Sequence, residues 1–208
     1  MSNPSDLSYI LNELGEDRHQ YHGSVSPPIF QSSNFAFPDL QSMSDALAHE
    51  MDIPFYSRGN NPTVTLLGKK IAALAGSETA MLFASGSAAI GAAVMANVQQ
   101  GDHVVCVQKP YSWTGKLLGN LLARFGVDTT FIEGIRAEEW QESIQENTKL
   151  FMLESPNSMT FELQDLSAVA GIAKSHGITT ILDNSYATPI NQKAIAMGID
   201  ITCHRATE

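Results

Sequence analysis

The chain has 208 residues, 43% of them hydrophobic, with a formal net charge of -10 and a pI of about 4.9. That apolar share supports a buried core and excludes wholesale disorder. The acidic balance argues against a nucleic-acid polyanion or an anionic membrane as the main partner, while leaving room for a local basic pocket that takes a phosphate.

Residues 1–17 are acidic and lack a basic n-region, so no signal peptide is expected, and no apolar run is long enough to cross a bilayer. Cys106 and Cys203 fall in apolar runs with no metal-ligand spacing. They read as core residues of a cytoplasmic protein, with no metal site.

In chain order, residues 1–55 form an expected amino-terminal arm. Pro4, Pro27, Pro28 and Pro38 break it up, and one short helix is expected over residues 39–49 with Asp39 as cap. Residues 56–208 are expected to form one α/β domain. A helix at 63–75 stops at Gly76. The apolar run 79–84 leads into Ser85-Gly86-Ser87 and a helical stretch at 88–98. A strand at 103–108 follows, then a helix at 113–125 ending at Gly126. Next come a strand at 129–132, an amphipathic helix at 137–146 and a strand at 149–153. A helix at 166–176 ends at Gly177, and strands at 178–182 and 199–203 complete the series. Continuous apolar strands alternating with helices indicate an α/β fold, a mostly parallel sheet with helices on both faces. Such sheets bind ligands outside the carboxyl ends of their strands. There stand Ser85, Gly86, Ser87, Tyr111, Glu154 to Asn157, Asp183, Asn184 and the last five residues.

Each of these has a bland reading beside a functional one. Ser85-Gly86-Ser87 is either an ordinary strand–helix turn or a phosphate cradle. The unpaired N–H groups of a helix start point at an anion, and glycine lets it come close. Asp183 is either a turn aspartate or the partner of a protonated ring nitrogen. Tyr111 is either a packing residue or a platform for a flat ring. Arg58, near Tyr56, is either a solvated charge or a fork of donors for phosphate oxygens.

Their order is more telling than any one of them. Tyr56-Ser57-Arg58-x-x-Asn61-Pro62-Thr63 comes first, then Ser85-Gly86-Ser87-Ala88-Ala89-Ile90 and Tyr111. Glu154-Ser155-Pro156-Asn157 and Asp183-Asn184-Ser185-Tyr186-Ala187-Thr188-Pro189 follow. The series resembles the trans-sulfuration family of pyridoxal-phosphate (PLP) enzymes: cystathionine γ-synthase, cystathionine β- and γ-lyase and methionine γ-lyase. The resemblance runs from about Tyr21 to the end of the chain. It implies the large domain of the aspartate-aminotransferase-like fold. It also implies PLP as cofactor, sulfur-containing amino acids as substrates and a homodimer or homotetramer, with no nucleic acid and no membrane. By the same resemblance Ser85, Gly86, Ser87 and Thr207 hold the cofactor phosphate. Tyr111 stacks on the pyridine ring near the reacting amino acid, and Asp183 pairs with the ring nitrogen. Asn157 touches the cofactor hydroxyl or the substrate carboxylate. Tyr56 and Arg58 reach the phosphate in a neighbouring subunit.

The chain departs from this pattern at its end. The family runs His-Ser-Ala-Thr-Lys, and its lysine carries the cofactor covalently. Here the run is His204-Arg205-Ala206-Thr207-Glu208. A carboxylate cannot condense with an aldehyde, and a proton carrier typically worth about 10²–10⁴ in rate is gone. Lys193 lies outside the matching motif. Ser87 replaces a common methionine, and Ser158 a common proline. The family's carboxyl-terminal domain is also expected to be absent, leaving apolar surface exposed. The sequence therefore suggests a carbon–sulfur lyase or γ-synthase of cystathionine, homocysteine/methionine or O-acyl-homoserine whose chain is inactive alone. The alternative is a non-catalytic, truncated remnant that binds PLP non-covalently or pairs with an intact relative. A nucleotide-binding domain is not supported, since neither GxGxxG nor GxxxxGK[ST] occurs.

Overall fold

The structure, a computed structural model, describes residues 6–205. The chain divides into two compact units, one ending at Leu82 and the other beginning at Phe83.

In the first unit, α1 (Leu7–Asn12) is capped by Asp6, whose carboxylate accepts from Ser8 N. Helix α2 (Leu40–Ala48) is capped by Asp39 through Ser42 N, as its sequence predicts. Helix α3 (Pro62–Ala75) has Asn61 as cap, Pro62 in its first turn and Gly76 in the left-handed region at φ 74° as its stop. Lys70 of α3 donates to Glu16 Oε1 at 2.5 Å and to Leu11 O at 2.7 Å, which ties α3 to the end of α1. The run 79–84 forms no strand, and Met81 and Phe83 are exposed. Its apolar composition satisfies strand propensity, but a strand also needs a ladder partner, and no described strand pairs with it.

The second unit opens with α4 (Gly86–Met95) and then β1 (His103–Val107). Helix α5 (Ser112–Lys116) passes into a π turn at Leu117–Leu121 and a 3₁₀ turn at Leu122–Phe125. The single helix expected over 113–125 is thus three segments. Gly115 and Gly119 lie within it, and glycine weakens the regular helix there. Then come β2 (Asp128–Ile132), α6 (Ala137–Glu142) and β3 (Thr148–Glu154). Helix α6 is shorter than its amphipathic stretch suggests. Gln145 N donates to Thr148 Oγ1 at 2.7 Å, so residues 143–147 turn towards β3. Helix α7 (Leu166–His176) has the span and the stop at Gly177 that its sequence predicts, and Asp165 caps it through Ala168 N. Strand β4 (Thr179–Asp183), the short α8 (Thr188–Asn191) and β5 (Ile201–Cys203) complete the unit.

The five strands are all parallel, in the order β2-β1-β3-β4-β5. Every residue of β1 and β4 is buried or nearly so, and β3 exposes only Lys149. Both faces of these central strands are therefore covered, while β2, at an edge, is half exposed. Parallel crossovers are right-handed. The step from β1 to β2 runs opposite to all later steps, so its helices lie on the face opposite α6 and α7. Helix α4 packs over β4 and β5 and against α5. The core runs through Val104, Val105, Leu150, Phe151, Met152, Ile181 and Leu182. Cys106 and Cys203 are buried free thiols within it. Burial pushes Cys203 up to about 12, aided by the charge of Asp183.

Candidate active site

The strand order dictates where a hollow can form. After β1 the chain turns towards β2. After β3 it turns the other way, so the connections diverge between these neighbours and leave a crevice at their carboxyl ends. A cavity of about 630 Å³ opens there. It is walled by Gly86 and Ser87 from the start of α4, and by Lys109 to Ser112 after β1. Glu154 ends β3, Asp183 ends β4, and Arg205 follows β5.

Glu154 binds the walls together. It is 3% exposed. Its Oε2 accepts from Tyr111 N at 2.5 Å and its Oε1 from Ser158 N at 2.7 Å. One carboxylate therefore joins the loops after β1 and β3. Burial pushes its carboxyl above the ordinary glutamate range. The two backbone donors oppose this, and Asp183, its register partner across β4, adds to it. A second network lies below. Gln192 Nε2 donates to Ser155 O and to Asn184 Oδ1, each at 2.8 Å, while Asn184 Nδ2 donates to Gln192 O at 3.1 Å. The loops after β3 and β4 are thereby locked to each other.

Asp183 is 7% exposed, and its Oδ1 accepts from Ser185 N at 3.1 Å. Ser85 caps α4, accepting from Ala88 N at 3.1 Å, and so aims the first turn of α4 at the hollow. Arg205 lies over the Tyr111 ring, its guanidinium carbon 5.3 Å from the centroid. Lys109, Met159, Phe161 and Thr188 hold positive φ. Such non-glycine strain concentrates at functional loops. His204 follows β5, and burial lowers its basicity.

Of the residues singled out from sequence, Gly86, Ser87, Tyr111 and Asp183 share this cavity. Ser85 stands behind its wall as a cap. Asn157 does not front it. That residue is buried, and its amide nitrogen reaches Lys109 O at 3.1 Å and Thr160 Oγ1 at 3.0 Å, bracing the loop after β1. Tyr56 and Arg58 lie in the first unit, where the Arg58 guanidinium sits 4.9 Å from the Tyr56 ring centroid. Thr207 and Glu208 fall outside the described residues. Sequence reasoning gave Glu154 no role. Its signal was a lone carboxylate ending an apolar strand, next to the motif aspartate of the following strand. Among the described residues no cluster of His, Cys, Asp or Glu could hold a metal ion, and no helix is long and apolar enough to cross a membrane.

The fold and the site define the class: an α/β protein with a parallel sheet and a hollow at the carboxyl ends of its strands, lined by a helix start, an aromatic ring and two buried carboxyl groups. The family model described as "Cys/Met metabolism PLP-dependent enzyme" matches residues 10–208, and the chain belongs to that PLP-dependent family. It is 36% identical to an L-methionine gamma-lyase of Fusobacterium nucleatum over 188 residues, covering 90% of this chain and 48% of the relative. It is 37% identical to cystathionine beta-lyase MetC of Bacillus subtilis over 186 residues, covering 89% and 45%. The solved structure of metB from Corynebacterium glutamicum superimposes with a TM-score of 0.88 at 27% identity, over 98% of this chain and 51% of that one. The chain thus spans about half the length of the relatives it matches.

Proposed function

We propose that this chain carries the cofactor-binding half of a trans-sulfuration enzyme acting on a sulfur-containing amino acid. Cystathionine, homocysteine or methionine, and O-acyl-homoserine are the candidate substrates. The carrying observation is that Gly86, Ser87, Tyr111 and Asp183 front one cavity at the carboxyl edge of the sheet. These residues fit PLP in chemical type. The first-turn N–H groups at Gly86 and Ser87 would receive the phosphate, with Thr207 adding a hydroxyl. The Tyr111 ring would support the pyridine. The Asp183 carboxylate would hold the proton of the ring nitrogen. Once bound, the cofactor supplies an electron sink for the pair left at the amino acid α-carbon. Glu154 keeps Tyr111 in place through its backbone N–H, and Asn157 braces the same loop through Lys109 O. Tyr56 and Arg58 would serve the phosphate site of a neighbouring copy in a homo-oligomer. The two buried free thiols suit a reducing cytoplasm.

On the resemblance of His204-Arg205-Ala206-Thr207-Glu208 to the family's pattern, Glu208 would take the place of the lysine. A carboxylate neither binds an aldehyde covalently nor returns a proton as an amine does. The chain alone is therefore proposed to bind the cofactor non-covalently and to turn over no substrate. The second reading, a non-catalytic remnant that pairs with an intact relative, rests on the same residue.

Titration with PLP followed by absorbance and equilibrium dialysis tests this. Wild type should bind reversibly, and Asp183→Asn should bind at least about ten-fold more weakly, because it loses the charged partner of the ring nitrogen. Mass spectrometry after borohydride reduction should find no single lysine modified in proportion to bound cofactor, Lys109 of the cavity wall included. A specific modified lysine would refute the non-covalent reading, and equal affinity in Asp183→Asn would refute the role of that carboxylate.

A further inference from the structure

We propose that Arg205 competes from within the chain for the place of the cofactor, so that a planar phosphorylated ring seats only when this side chain swings out. The inference rests on reading the cavity as the cofactor pocket. One side chain covers both surfaces that such a ligand needs. At its far end the guanidinium lies over the Tyr111 ring, 5.3 Å from the centroid, within the range of a cation–π contact. Along its stem it lies against the start of α4. A β-carbon built on Gly86 would overlap Arg205 Cγ and stand 3.0 Å from its Cδ. Arg205, Gly86 and Tyr111 all line the same cavity. The ring face covered by the guanidinium is therefore the face a ligand in the cavity would meet.

The chemistry of the walls favours this placement. Two carboxylates, Glu154 and Asp183, end adjacent strands in register beside the hollow. A guanidinium brings positive charge near Asp183 and stacks flat on an aromatic face, which a small hydroxyl side chain cannot do. A pyridine ring stacking on Tyr111 must displace it, while a phosphate at Gly86 must displace its stem. Arg205 is itself exposed, so the swing outwards leaves its charge solvated.

The test is equilibrium dialysis of PLP against wild type, Arg205→Ser and Arg205→Lys, with far-UV circular dichroism as a check of folding. Removing the competitor should tighten binding by at least about two-fold in Arg205→Ser, the lower end of what an exposed cation–π contact contributes. Arg205→Lys, which keeps a cation and a long stem, should stay near wild type. Equal affinity in wild type and Arg205→Ser overturns the competition and leaves the pocket reading standing. Weaker binding in Arg205→Ser also overturns it, by assigning the guanidinium to the phosphate. No binding in any variant overturns both the competition and the pocket reading.

Discussion

Glu154 is the residue on which the site's geometry turns. A buried carboxyl that accepts from two backbone N–H groups on different loops uses both of its oxygens, which an amide of the same size, with a single oxygen, cannot do. Its carboxyl is raised above the ordinary glutamate value, chiefly by burial. The folded chain therefore holds this proton at pH values where the unfolded chain has lost it. The sign follows: the group's stabilising contribution is full below the ordinary glutamate value of about 4.3 and declines as pH rises through the raised folded value. Chemical denaturation of wild type and Glu154→Gln across pH 4–8 should show the wild type losing stability relative to the variant as pH rises through that window. A difference that is flat, or of opposite slope, would remove Glu154 from this role. The same reasoning separates Glu154 from Asp183. They are register partners that both line the hollow, but Glu154 has both oxygens committed to backbone donors, whereas Asp183 accepts from Ser185 N through Oδ1.

At the scale of elements, α6 and the turn before it depend on Trp140. It is fully buried. Its indole N–H donates to Gly134 O at 3.0 Å, and its ring lies 5.0 Å from that of Phe151 in β3. Gly134 has φ 73°, and a β-carbon there would meet Val107 and the indole at 3.1 to 3.3 Å. The turn after β2 is thus shaped to fit this one side chain. Trp140→Ala should cost about 3–5 kcal/mol, the range for deleting a large buried aromatic, read as a lower urea midpoint. A loss below about 1 kcal/mol would mean that α6 packs independently of its tryptophan. Helices α3 and α7 follow their sequence closely because cap, apolar spacing and terminal glycine agree. The segment 113–125 does not, since its glycines interrupt an otherwise helical pattern.

At the scale of the whole molecule, the sheet sets a gradient of protection. Strands β1, β3 and β4 are covered on both faces, while β2 and β5 stand at the edges. Amide hydrogen exchange should be slowest in the three central strands and faster in β2 and β5. Edges as protected as the centre would contradict this order of strands, or would show the edges covered in solution.

The sequence by itself determined the apolar strands, the helices α2, α3 and α7 with the cap of α2 and the terminal glycines of α3 and α7, and the ordered motifs that carry the family resemblance. Each of these is written within a few neighbouring residues, where the periods of helix and strand and the chemistry of caps act directly. Tertiary structure alone decided which strands lie side by side. Placing β1 next to β3 lets Tyr111 and Glu154 meet although 43 positions separate them. It also decided that the run 79–84 finds no ladder partner among the described residues, and that Arg205 reaches back to Gly86 and Tyr111. Such contacts depend on how elements pack, and no local pattern of residues encodes that packing.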